Sequence, residues 1–231
     1  MAKIESKDSH LRDILKDELY YQIPIYQRPY QWTEENCEKL LDDLFFNYED
    51  DRDSDYFCGS LVLILISEDS KAKTYDIVDG QQRLSTFILL AKVLATLYDK
   101  DLNKTSRVFL EESLGDTDEE KRKRLTFNTI GLNAKDDFQG ALDFFDDLDA
   151  SKGKNSKSND PSKGKNNYLK NAICLKDYLE KKEIKDINAF IKWLYLKVTF
   201  IKTTCPNISM ALMIFNVLNA RGLAFACDRY F

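Results

Sequence analysis

The chain has 231 residues and a mass of 26.9 kDa, enough for one large domain or two small ones around a real core. Lys+Arg 34 against Asp+Glu 39 gives a net charge of −5, which excludes a uniformly basic nucleic-acid coat and leaves room only for a local basic face. Gly 8 and Pro 4 are few, and with 43% hydrophobic residues this favours long helices over a turn-rich all-β sandwich.

The single histidine, His10, excludes a His-metal cluster, a Ser-His-Asp triad and an HNH nuclease site within this sequence. The five cysteines, Cys37, Cys58, Cys174, Cys205 and Cys227, have no CxxC spacing and read as free thiols. The longest apolar run, Leu61 to Ile66, is far below the ~20 residues of a membrane span. Met1 to Arg12 has no apolar signal-peptide core, so a cytoplasmic protein is expected.

In chain order, residues 9–19 read as a short helix and Tyr20 to Ile25 as a strand ending near Pro24. Ile23 to Trp32 holds two prolines and three aromatic residues and reads as a rigid, packed loop. Thr33 caps the next helix, whose stripe is Cys37, Leu40, Leu41, Leu44, Phe45 and Tyr48. Glu49 to Asp55 is an acidic loop, and Phe57 to Ile66 and Lys73 to Val78 are strands. Asp79-Gly80-Gln81-Gln82-Arg83 follows directly and leads into a helix that buries Leu84, Phe87, Ile88, Ala91, Val93 and Leu94. Residues 99–123 mix loop and short helix, and Arg124 to Phe127 reads as a strand. Asn133 caps a helix with Phe138, Leu142, Phe145 and Leu148 inward. Residues 151–166 carry five lysines, one aspartate and no apolar residue but Pro161, and read as a disordered surface insertion or a phosphate-touching arm. Helices are expected from Asn167 to Lys182 and after Asp186, then a strand from Lys197 to Lys202 and a last helix from Ser209 to Leu218. Asn219-Ala220-Arg221-Gly222 reads as its closing turn, and the end of the sequence reads as clipped.

Three clusters are candidates for chemistry. A strand feeding a glycine turn into a helix presents free backbone N–H groups at the positive end of a dipole. That is an anion site, to which Arg83 adds a fork for phosphate, Gln81 and Gln82 add groups that orient water or nucleotide, and Asp79 adds a carboxylate for Mg2+. The plainer reading makes Asp79 an N-cap, Gly80 a turn former and Arg83 an ion-pair partner. Tyr26, Gln27, Arg28, Tyr30 and Trp32 form the second cluster, either phosphate-binding and base-stacking or a packed corner. Asn219 and Arg221 form the third, either a helix end or one wall of a phosphate pocket.

Ile23-Pro24-Ile25-Tyr26-Gln27-Arg28-Pro29-Tyr30-Gln31-Trp32, Phe57-Cys58-Gly59-Ser60-Leu61, Val78 to Thr86 and Phe215 to Gly222 occur together and in this order. In this the sequence resembles the DUF262 family, the N-terminal domain of GmrSD-type modification-dependent restriction enzymes. The resemblance implies an α+β fold: a ParB/sulfiredoxin-like small mixed sheet with helices over 1–104, then a mainly helical part over 105–231 with a truncated C-terminus. It implies an NTP-binding and hydrolysing sensor module using NTP and Mg2+, with Asp79, Gln81, Gln82 and Arg83 catalytic and Asp79 on the metal. Gly80, Arg83, Arg28, Gln27, Tyr26, Asn219 and Arg221 would bind nucleotide phosphate, and Tyr26, Gln27, Arg28 and Trp32 would touch DNA. The partners implied are modified phage DNA and an HNH-type (DUF1524) nuclease domain or subunit, with no membrane and a homo-oligomer allowed. The alternatives are a non-catalytic DNA-sensing or partner-docking subunit and a truncated, inactive remnant.

Overall fold

Alternation along one strand sets the two faces of the sheet. In β3 (Tyr56–Glu68), Leu61 and Leu63 join the main core, while Val62 joins a smaller cluster on the opposite side, with Ile64 packed against it. The computed structural model describes residues 3–16, 18–70, 72–115, 122–128, 133–150 and 166–226, with backbone alone at 147–150 and 219–226. Before β3 come β1 (Glu5–His10), α1 (Leu11–Ile14), β2 (Leu19–Ile23) and α2 (Glu34–Asp50). After it come β4 (Lys73–Asp79), α3 (Gln81–Leu97), α4 (Lys104–Leu114), β5 (Leu125–Phe127) and α5 (Ala134–Ala150). The chain continues with α6 (Asn167–Lys181), α7 (Ile187–Lys197), β6 (Val198–Cys205) and α8 (Ile208–Ala226).

The strands form one six-stranded mixed sheet in the order β1-β6-β3-β4-β2-β5. β6 lies antiparallel to β1 and parallel to β3, β3 is antiparallel to β4, and β2 is parallel to both β4 and β5. The expected mixed α/β architecture is present. The boundary expected at 104/105 falls at the start of α4, and strands from both sides of it share the sheet.

α2 buries Cys37, Leu40, Leu41, Leu44, Phe45 and Tyr48, the stripe its spacing predicts. Phe45 stacks on Phe190 of α7 with ring centroids 4.4 Å apart. α3 is buried on nearly all sides, because it packs against α4, α5 and α6. Asp186 caps α7 by accepting from the Ala189 N–H at 3.0 Å. Arg124, 1% exposed, donates to the backbone carbonyls of Glu112, Lys16 and Leu19 and so ties β5 to the α1–β2 corner.

Two expectations are corrected. Residues 9–19 are not one helix: Glu5–His10 is an edge strand and only Leu11–Ile14 is helical. The segment ESKDSH carries no apolar residue, so its strand character comes from pairing with β6 rather than from its own pattern. Nor does the last helix close at Asn219–Gly222, because α8 continues to Ala226. A glycine inside a helix costs only about 1 kcal/mol, too little to stop an otherwise apolar helix. The Lys-rich residues 151–165 lie outside the described residues, as do the side chains of Asn219, Arg221, Phe225 and Cys227. Among the described residues no helix is long and apolar enough to cross a membrane.

Candidate functional site

The Asp79–Arg83 turn lies where its sequence context predicts, between the end of β4 and the first turn of α3. Gly80 has φ 93, and a Cβ there would stand 2.8 Å from Leu61 Cδ1 and 3.0 Å from the Ser60 carbonyl oxygen. Glycine is therefore required twice, for the left-handed backbone and for the close approach to β3. The first bond inside α3 runs from Leu84 N–H to the Gly80 carbonyl at 2.9 Å. The N–H groups of Gln81, Gln82 and Arg83 precede it, and the glycine N-cap has no side chain to offer them. A 17-residue helix thus presents bare donors and the positive end of its dipole beside Asp79.

Asp79 accepts a hydrogen bond from Ser60 Oγ at 3.0 Å, and Arg83 Nη2 stands 3.9 Å from the same carboxylate oxygen. That distance is long for an ion pair. Arg83 is held instead by carbonyls of β3: Nη2 donates to Ser60 O at 2.9 Å and Nη1 to Cys58 O at 3.4 Å. Its Nε is buried without a partner. The guanidinium passes over Gly59, whose φ is 127.

The two glutamines bind protein rather than facing outward. Gln82 Oε1 accepts from the backbone N–H groups of Gln31 at 2.8 Å and Trp32 at 3.1 Å, which uses both lone pairs. Gln81 is 5% exposed and donates from Nε2 to the Arg28 carbonyl at 3.2 Å. Gln27 donates in turn to the Val78 carbonyl at 2.7 Å. Three glutamine amides thus clamp the 27–32 loop to the β4–α3 turn. Tyr30 anchors the loop from beneath: its hydroxyl meets Thr86 Oγ1 at 2.8 Å and Asn171 Nδ2 at 2.9 Å, and its ring stacks on Tyr168 at 4.2 Å. Burial pushes the Tyr30 hydroxyl well above the usual phenol range.

The clamp decides which side chains are free. Tyr26 is 44% exposed and Arg28 is exposed, with no hydrogen bond or ion pair to its guanidinium among the described residues. Partial burial first, then the charge of Asp76, raises the Tyr26 hydroxyl above its ordinary value. Trp32 is half-buried against the main core and its carbonyl accepts from Asn171 Nδ2 at 2.8 Å. The structure therefore brings Tyr26, Gln27, Arg28, Asp79, Gly80, Gln81, Gln82 and Arg83 together at one corner, with Trp32 behind it. The side chains of Asn219 and Arg221 lie outside the described residues.

Sequence reading assigned no role to Ser60, Gly59, Asn171 or Tyr168. Ser60 and Gly59 stand inside one of the recognised motifs, a signal that was available. Asn171 and Tyr168 carry none, because their partners lie about 140 residues away in sequence. Among the described residues no group of three or more His, Cys, Asp or Glu could hold a metal ion. Asp79 with Ser60 is a carboxylate–hydroxyl pair, a donor set that fits Mg2+ arriving on nucleotide phosphates and not a free-standing metal site.

The family of the GmrSD restriction endonuclease N-terminal domain matches residues 11–226 of this chain. Comparison with curated proteins gives no match.

Proposed function

Because the chain belongs to the family of GmrSD restriction endonuclease N-terminal domains, we propose that it is the nucleotide-binding sensor of a restriction system, with its phosphate site at the β4–α3 turn. The observation that carries this reading is the bare start of α3 beside Asp79, with the guanidinium of Arg28, unpaired among the described residues, on a loop fastened to the same turn. Backbone N–H groups of Gln81 to Arg83 receive phosphate oxygens, and Arg28 closes on them as a mobile fork. Arg83, committed to two carbonyls, supplies fixed positive charge and rigidity. Asp79 and Ser60 would hold Mg2+, which supplies charge neutralisation at the phosphates and a more acidic bound water. Gln81 and Gln82 serve by holding the 27–32 loop in place, since their amides are bonded to it.

DNA and a nuclease are the partners that the family suggests. Tyr26 and Ile25, 44% and 53% exposed just before the clamped loop, together with Arg28 offer a stacking and phosphate-contacting edge for DNA. Nucleotide occupancy at the turn would then be felt directly by the DNA-contacting loop. A second reading, a non-catalytic docking subunit, draws support from α8, where Leu212, Met213 and Val217 are 42%, 57% and 47% exposed.

The test is phosphate release from ATP, GTP, CTP and UTP with Mg2+, on the wild-type chain, Arg28→Ala and Asp79→Asn. Release that falls about tenfold or more in both variants, about 1.4 kcal/mol at the transition state, supports the assignment. Unchanged release in both overturns it. Nucleotide binding without release from any sample selects the docking subunit.

A further inference from the structure

A charged cavity of about 600 Å3 lies against β1, β6 and the start of β4 and shares no residue with the Asp79–Arg83 turn. Its inner wall carries Lys202, which is only 8% exposed. Lys202 has no hydrogen bond and no ion pair among the described residues, and its amine stands 5.7 Å from the centre of the Tyr75 ring. Directly opposite it on β1 is Lys7, also without an ion pair among the described residues, so two like charges face each other across the strands.

Four carboxylates also line the cavity, and two of them are paired with lysines of the same wall. Glu68 holds Lys73 at 2.7 Å, Glu18 holds Lys16 at 3.5 Å, and Asp13 is 3.6 Å from His10 Nδ1. Glu5 acts on Lys73 and Tyr75. Burial first, then the charges of Lys7, Lys16 and Lys73, bring the Lys202 amine down to about 8, with Asp13 opposing them. At neutral pH it is still mostly an ammonium, with three donors, little water and no acceptor among the described residues.

A buried ammonium with no carboxylate in ion-pair contact among the described residues is costly, and the surrounding lysines raise that cost. The missing partner is an anion. A cavity of this volume is also far larger than a bare oxyanion and lies within the range of small-molecule sites. We propose that this cleft binds a small phosphorylated molecule, its phosphate on Lys202 and Lys7 and its body in the remaining space. The site is separate from the proposed nucleotide site and does not depend on it.

The probe is glucose 6-phosphate, with inorganic phosphate and glucose as comparisons, titrated calorimetrically into the wild-type chain, Lys202→Met, Lys7→Gln and Arg28→Ala. The expected result is binding of the sugar phosphate to wild type and Arg28→Ala alike, at least tenfold weaker in Lys202→Met and severalfold weaker in Lys7→Gln. Tighter binding of the sugar phosphate than of phosphate assigns a monoester, equal binding assigns free phosphate, and either supports the oxyanion site. Lys202→Met should also melt no lower than wild type in anion-free buffer, because it removes an uncompensated charge. If Lys202→Met does not fold, the surface variant Lys7→Gln decides. Absence of binding at millimolar concentrations, full binding by Lys7→Gln and Lys202→Met, or loss in Arg28→Ala alone would overturn the proposal.

Discussion

The guanidinium of Arg83 lies over Gly59 so closely that a Cβ on residue 59 would stand 2.8 Å from Arg83 Cζ. Gly59 also has φ 127, a conformation that side chains rarely adopt. Gly59→Ala therefore meets two penalties, backbone strain of about 1–3 kcal/mol and eviction of the arginine from its seat on the Ser60 carbonyl. The urea midpoint should fall accordingly, and nucleotide binding should weaken although residue 59 is no part of the phosphate site. An unchanged midpoint would show that the arginine has other places to go.

The clamp made by Gln82 separates two roles that a kinetic defect alone would confuse. Gln82→Ala removes the acceptor for two backbone N–H groups, at a cost of about 1–2 kcal/mol. Amide exchange at Gln31 and Trp32 should speed up sharply, because both lose their acceptor. Gln82→Glu keeps both oxygen lone-pair sites and should restore protection. Exchange that is equally slow in wild type and Gln82→Ala would remove the clamp from the account.

The cysteines give a pH prediction. Burial raises the thiols of Cys37 and Cys58 from 9.0 to about 12, with neighbouring charges as lesser causes. At pH 8 such a thiol is ionised in about 1 molecule in 10,000, against about 1 in 11 at the ordinary 9.0. Iodoacetamide at pH 8 should label Cys37 and Cys58 only after denaturation, as read by peptide mass spectrometry. The sign for stability follows from the same shift. The folded state holds these protons more tightly than the unfolded chain, so their contribution is complete below about pH 9 and is lost as pH rises from there towards about 12. A flat denaturation midpoint between pH 8 and pH 11 would contradict it.

What could be read from sequence was local. The stripe of α2 follows from spacing over eleven residues, and all of Cys37, Leu40, Leu41, Leu44, Phe45 and Tyr48 are buried. The strand, glycine and helix around Asp79 follow from a run of apolar residues, a glycine and a second apolar period. What could not be read depended on partners distant in sequence. β1 is a strand only because β6 pairs with it, Glu5 opposite Thr204. Gln82 stands in the first turn of a helix, where a free amide is the natural expectation, yet its acceptor oxygen serves N–H groups about 50 residues earlier. The end of α8 failed for a different reason. Gly222 reads as a helix stop, and one glycine in an apolar helix is too weak a breaker to be one.

The position of β6 has a consequence for how the chain comes into being. β6 is inserted between β1 and β3, which precede it by well over a hundred residues, and it joins them into one sheet. Until Val198–Cys205 has left the ribosome, β1 has no neighbour and β3 is an open edge. At ordinary synthesis rates that interval lasts on the order of ten seconds. Throughout it, the apolar Leu61–Leu65 segment has one unsatisfied flank, a template for foreign strands. The last quarter of the chain is therefore what ends an exposure that begins in its first third, and chaperone demand during synthesis should track the delay before β6 arrives.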